Sequence, residues 1–344
     1  MVKRMSACRL ILPVILVSVW VAGCSTEDAD DVIVIKFPHV TAPATPKGQG
    51  AERIRELVQQ RLGDRVKVEV YPSSQMMNDD DSLDALSLGE VQMIAVSLSK
   101  FDRLTSIFQV FDLPFLFRDL EAVESFQTSA TGNQLLLSLE NKGFLGLGFW
   151  HNGMKQLSGP KPLRVPGDAA GMSFRIMESD VLQSQIQALD AVPQKMALSE
   201  VYQALQTGAI DAQENTWSNI WSQKFFEVQP FITESNHGYI GYLFAVNSSF
   251  WRKLPADVRE EMEAIIAEVT GEVNQRAQAI NAEHRQLVLN SGQTELVLLT
   301  AEELSVWRQV MTPVWDKFTP QIGTEIMAAA QRSANSESSS PDSR

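Results

Sequence analysis

Apolar positions near the start of the chain switch between two periods. "VIVIKF", Val32 to Phe37, is a short apolar run of strand length, and "VKVEVY" alternates Val66, Val68 and Val70. Between them "GAERIRELVQQRLG" places Ile54, Leu57, Val58 and Leu62 on one helical face and stops at Gly63. Strand, helix and strand in that order predict a crossover unit with a parallel pair. "DSLDALSLGE" followed by "VQMIAVS" reads as a further helix and strand that extend the pattern. The aromatic run "VFDLPFLF" holds Pro114, which argues against a central strand there.

The middle of the chain carries "GFLGLGFW", which reads as a buried strand and empties into "WHNGMKQLSG", Trp150 to Gly159. That second stretch is too polar for a core and too aromatic for an ordinary loop, and is expected to line a cleft. The proline-rich "GPKPLRVPGD" reads as a crossing between domains. Beyond it, "GMSFRIM" and "YIGYLFAVN" read as strands, with helical segments either side of "GAIDAQENTW". From Asp257 to about Leu289 no proline interrupts Val258, Met262, Ile265, Ile266, Val269, Val273 and Ala277, which recur at helical steps. A helix of roughly thirty residues spans about 45 Å, longer than one small domain is wide, so it runs along two. The fold class read from this alternation is a two-lobed α/β protein.

The two ends change the picture. Lys3, Arg4 and Arg9, the apolar "LILPVILVSVWVA" with Pro13 inside it, and "VAGC" have the order of a secretory signal, residues 1–24. Ala22-Gly23 before Cys24 resembles a bacterial lipobox, in which the cysteine is acylated and becomes the mature N-terminus. Cys8 leaves with the signal, so no disulfide framework is expected. "STEDADD" (25–31) reads as a tether and residues 331–344 as a disordered tail. The formal charge of −13 becomes about three units more negative without the signal, which argues against nucleic acid as a partner. A cleft that focuses a few cations still suits an anion.

Enzyme signatures are missing from the sequence: no Gly-x-Ser-x-Gly, no phosphate loop and no His-Glu-x-x-His. His39, His151, His237 and His284 lack metal-ligand spacing, and no metal, cofactor or catalytic residue is expected. Asp79 to Asp81 read as a solvated turn. In "GMSFRIM", Met172, Phe174 and Ile176 share one face and Arg175 takes the other, a pattern that by itself reads as a water-facing arginine. Lys155 reads likewise, and Asn215 reads as a cap for a helix from Trp217.

Together these residues resemble a known family. "FRIMESDVLQSQIQALDAVPQKMALSEVYQALQTGAIDAQENTWSNIWSQKFFEVQ" strongly resembles the extracytoplasmic solute-binding proteins of tripartite ATP-independent periplasmic (TRAP) transporters, of the dicarboxylate-binding DctP type. "YPSSQ", "SLSKF", "FDLPFLF", "SNHGYIGY" and "FWRKLP" are similar in the same way. The resemblance implies a periplasmic-binding-protein-like fold with discontinuous lobes, an interlobe cleft and one lobe-spanning helix. Lobe I is expected at 32–152 and 241–280, and lobe II at 153–240 and 281–330. It further implies that Arg175 clamps a substrate carboxylate with Asn215 assisting, that Lys155 is a second cation, and that Ser97, His39 and Lys47 face the cleft. Trp150 and Trp217 are expected to wall it. Implied, too, are a C4-dicarboxylate such as malate, succinate or fumarate as ligand, membrane permease subunits as partners, and a periplasmic, lipid-anchored location without enzymatic activity. The alternatives are another organic acid, a keto acid or sugar acid, or a role as adaptor for a membrane sensor. Two departures from the family pattern, Ala212 where relatives have glycine and Leu198 where they have phenylalanine, bear on the cleft's shape.

Overall fold

A computed structural model describes residues 32–335. The signal segment, the tether and Cys24 lie outside the described residues. β1 (Ile33–Pro38) and β2 (Val66–Tyr71) pair in parallel across α1 (Pro46–Leu62), as the periodicity predicts. Thr45 caps α1 by accepting from the Gly48 amide, and Gly63, at a φ of 56°, ends it in a conformation that suits glycine.

The next unit departs from that pattern. After α2 (Asp79–Leu88), β3 (Met93–Ser97) forms its ladder antiparallel with β9 (Tyr239–Asn247) rather than continuing a parallel sheet. Every residue of both strands is buried, so each needs a neighbour on an edge that a crossover alone would leave open.

β4 runs unbroken from Phe144 to Gly159. "WHNGMKQLSG" is therefore strand, not the exit from one. β4 pairs with β9 through Met154, then from Lys155 with β7 (Ala212–Thr216) and from Leu157 with β8 (Phe231–Glu234). The change of partners falls at Met154–Lys155, ahead of the proline-rich connector expected to make the crossing. The larger sheet is completed by β5 (Ser173–Ile176), β6 (Val192–Lys195) and β10 (Glu295–Leu298), in the order β10-β8-β4-β7-β5-β6. One strand thus belongs to both halves of a two-lobed α/β fold.

The long helix, Ala256–Asn290, is 35 residues, or about 52 Å. It lies along β4 because two irregularities in the β4–β9 register, at Gly146/Gly148 and His151/Gly153, free strand backbone groups on that side. The helix satisfies them with amides. Asn274 accepts from the His151 amide at 2.8 Å and donates to the Phe149 carbonyl at 2.9 Å, and Asn281 donates to the Asn152 carbonyl at 2.6 Å. Glycine is required for this approach: a Cβ on Gly148 would lie 2.8 Å from Thr270 Oγ1, and one on Gly153 2.8 Å from Asn281 Nδ2.

The last helix, Thr324–Asn335, extends into the stretch expected as a tail. Met327, Ala329, Ala330 and Ser333 are buried there, which gives 331–335 a packed face to fold against.

Candidate ligand cavity

Sheet register decides which side chains meet. In the parallel β5–β7 pair Arg175 lies opposite Gln213, so Arg175, Gln213 and Asn215 share one face of the sheet. Arg175 is only 4% exposed. Its Nε and Nη2 both donate to the Met196 carbonyl, at 3.0 and 2.8 Å, which fixes the guanidinium plane without using Nη1. Burial pushes its pKa down to about 10, against the opposing fields of Glu214, Asp79 and Glu200, and leaves it charged at neutral pH. Asn215 Oδ1 accepts from the Thr216 amide at 3.1 Å and from Asn219 Nδ2 at 2.7 Å. Those bonds occupy its acceptor and leave its amide nitrogen as the donating end.

Arg175 and Asn215 line a cavity of about 30 Å³ with Ser97, Asp79, Asn219 and Tyr242. Tyr242 is held by Asn152, whose Nδ2 donates to its hydroxyl at 2.5 Å, and Asn152 Oδ1 accepts in turn from Thr216 at 2.9 Å. The cavity's polar walls come from β3, β9, α2 and the loop carrying Thr41 on one side, and from β5, β7 and the helix Trp217–Ser222 that carries Asn219 on the other. It has room for a water or two. A four-carbon acid is larger, so loading requires these walls to part, as in hinge closure around a ligand. Ser97 Oγ, Asp79 Oδ1 and Asn219 Oδ1 are buried without hydrogen-bond partners, an uncommon state for polar atoms.

Ser97, Arg175 and Asn215 are therefore brought together as expected; five other residues are not cavity walls. Lys155 lies opposite Thr216 in the β4–β7 ladder, on the sheet face opposite Arg175. Its Nζ is 2.6 Å from Glu214 Oε1, and both side chains are almost fully buried. Glu214 Oε2 also meets His237 Nε2 and accepts from Gln185 Nε2, each at 2.8 Å. Burial alone would raise the Glu214 carboxyl, but Lys155 and His237 hold it well below the carboxylate range. Lys155 is thus a saturated partner in an internal ion pair.

Trp150 is core: fully buried, it packs on Phe37 and Phe244, with ring centroids at 6.2 and 4.9 Å, and donates to Thr270. Its register partner is Tyr242, so it backs a cavity residue instead of forming the wall. Trp217 borders a different hollow, beside Glu234 and Arg285, whose guanidinium lies 5.6 Å from the ring centroid. His39 sits behind the cavity residue Thr41, with Nδ1 3.3 Å from its hydroxyl. Lys47 also stands in a second layer. It is fully buried, donates to the Ala95 carbonyl at 3.0 Å and lies 3.9 Å over the Tyr242 ring. Burial lowers its pKa, opposed by the field of Asp79.

Asp79, Asn219 and Tyr242 are cavity residues that the sequence reading did not select. Asp79 is buried, unlike a solvated turn, because it opens α2 on the face that carries Leu83 and Leu86. That spacing of four and seven was the available signal. Among the described residues no cluster of His, Cys, Asp and Glu could hold a metal ion.

The buried histidines make stability depend on pH. Burial lowers His39 to about 3, with Lys47 adding to the shift, and lowers His151 to about 4. Both depressed values mean that the unfolded chain binds more protons below the ordinary histidine range. Their contribution is present above about pH 6.5 and is lost as the pH falls. At pH 5 each costs about 2 kcal/mol. Asp112, which burial pushes up to about 6 against the pull of Lys155 and Ser99, moves oppositely and offsets about 1 kcal/mol. Urea unfolding at pH 5.0 and 7.5 is expected to show a net loss at the lower pH, and His151→Gln to reduce it. A flat profile contradicts the burial of these rings.

Residues 37–321 match the family model DctP, described as "Bacterial extracellular solute-binding protein, family 7". A C4-dicarboxylate-binding periplasmic protein DctP from Shewanella loihica is 46% identical over 329 residues, 95% of this chain and 98% of that protein. The crystal structure of a TRAP periplasmic solute-binding protein from Shewanella oneidensis, with bound succinate, is 48% identical with a TM-score of 0.87, covering 88% of this chain and 100% of that one. A corresponding structure from Pseudomonas aeruginosa, with bound L-malate, is 46% identical with a TM-score of 0.81, covering 83% and 99%. A match of this extent, on a fold that buries an arginine in a polar cavity between strands of its two halves, means that the chain belongs to the DctP family of bacterial extracellular solute-binding proteins.

Proposed function

We propose that this protein captures a C4-dicarboxylate, of the malate, succinate or fumarate type, between its lobes and delivers it to the membrane permease of a TRAP transporter, performing no chemistry on it. The observation that carries this reading is the state of Arg175: a buried, geometrically fixed cation on a cavity wall, with no carboxylate among the described residues in ion-pair contact. A planar guanidinium offers parallel donors that suit a carboxylate. Asn215 adds a donor from the side. The second positive charge that a diacid calls for acts from behind the cavity wall, as the field of Lys47 through the Tyr242 ring, and not as a contact from Lys155.

A thermal-shift screen tests the reading with the chain lacking its signal. Succinate, fumarate and L-malate at about 100 times their dissociation constants should each stabilise by roughly 2.7 kcal/mol, and butyrate far less at equal concentration. Stabilisation by sugar acids or keto acids alone would replace the dicarboxylate with that class. The protein works in the periplasm, tied to the membrane face by acylated Cys24. Metabolic labelling with palmitate should mark the wild type and spare Cys24→Ala; an unlabelled wild type removes the anchor and leaves a soluble periplasmic protein.

A further inference from the structure

A site for a dianion is an unexpected place for a carboxylate, yet Asp79 is part of the wall around Arg175. It has an apparent local purpose, since an acid at the start of a helix is favoured by the helix dipole. That explains the charge but not the hydrogen bonding. Asn78, not Asp79, caps α2, its Oδ1 accepting from the Asp81 amide. Lys47 feels the field of Asp79 without reaching it as an ion pair, Arg175 likewise, and Lys100 takes Asp80 instead. Asp79 Oδ1 is left dehydrated and without a donor. A buried acceptor in that condition is costly, and more so when charged.

The neighbouring orphan, Asn219 Oδ1, is also an acceptor. Two cavity-lining residues with unpartnered acceptors ask the ligand for a hydrogen, and an ionised dicarboxylate without other substituents has none to give. We infer that Asp79 is a specificity-determining residue that accepts a hydrogen bond from a hydroxyl on the ligand, so that the cavity favours a hydroxy-dicarboxylate over its unsubstituted parent. The charged Asp79 is the stronger of the two acceptors. Repulsion between Asp79 and a second ligand carboxylate, uncompensated when no hydroxyl is present, acts in the same direction.

This inference rests on the dicarboxylate reading, and calorimetry separates the two. Wild type is expected to bind L-malate roughly tenfold or more tightly than succinate, from the usual strength of a hydrogen bond to a charged group. Asp79→Ala should weaken L-malate, leave succinate unchanged or tighter, and bring their ratio to within about threefold. Asp79→Asn, which keeps the shape and an acceptor oxygen, should tighten succinate and narrow the ratio without abolishing L-malate binding. A purely structural role would shift both ligands together. Failure of wild type to bind any of the three diacids overturns the dicarboxylate reading and this inference with it. Binding of all three with a malate-to-succinate ratio indifferent to residue 79, or one that collapses only in Asn219→Ala, overturns this inference alone. If Asp79→Ala does not fold, as circular dichroism would show, the Asn variant decides.

Discussion

Arg175→Ala should weaken every carboxylate ligand by at least a hundredfold while leaving the empty protein as stable as wild type or more so. The two halves of that result have one cause. Burial holds the guanidinium near a pKa of 10, against the ordinary 12.5, so the ligand-free fold bears a penalty on the order of 3 kcal/mol for keeping the cation dehydrated. A bound carboxylate offsets that penalty; alanine removes it and leaves the ligand's charge buried alone. Breaking a buried pair by removing one partner typically costs about 3–5 kcal/mol, which is a hundredfold or more in affinity. Arg175→Lys should fall between, since it keeps the charge and loses the fork and the double bond to Met196. Calorimetry with succinate, together with urea unfolding of the ligand-free variants, reads both halves. Affinity within tenfold of wild type would mean that Arg175 is not the clamp.

The sequence made some of this legible and hid the rest for identifiable reasons. The crossover from β1 through α1 to β2 and the long helix follow from apolar spacing, because each buries one face against a continuous core. β7 was not legible. Its central "QEN" reads as polar loop, and these side chains are buried only because distant groups satisfy them: Gln213 donates to Ser158, and Glu214 meets Lys155 and His237. The faces of β4 were hidden as well. Alternation predicts a strand's faces only while the register is regular, and each of its two irregularities resets the count. Trp150 and Lys155, near and beyond the second, could not be assigned from spacing. Arg175 could be placed opposite Phe174 on a short regular strand, but that this face is interior required the neighbouring strands.

Lys155 shows how far such a reassignment changes an expected result. As a second clamp, Lys155→Ala would have weakened dicarboxylates selectively. As the partner of Glu214, Lys155→Met should destabilise the fold by about 3–5 kcal/mol, since it strands a buried carboxylate, with the malate, succinate and butyrate affinities in their wild-type ratios. Adding Glu214→Gln should recover most of the loss, because the glutamine keeps shape and hydrogen-bonding capacity toward Gln185 and His237 without a charge. The deficit of the single variant should also depend on pH. Without Lys155, Glu214 loses the cation that holds its carboxyl down and Asp112, already raised by burial, loses the pull that limits its rise, so both folded-state values move up. The folded variant then binds more protons than the unfolded chain in that window, and its deficit relative to wild type should shrink as the pH falls from 8 to 5. Urea unfolding of wild type, single and double variants at both pH values measures all of this. A Lys155→Met protein of wild-type stability that had lost succinate but kept butyrate would place the lysine at the ligand and refute the register argument.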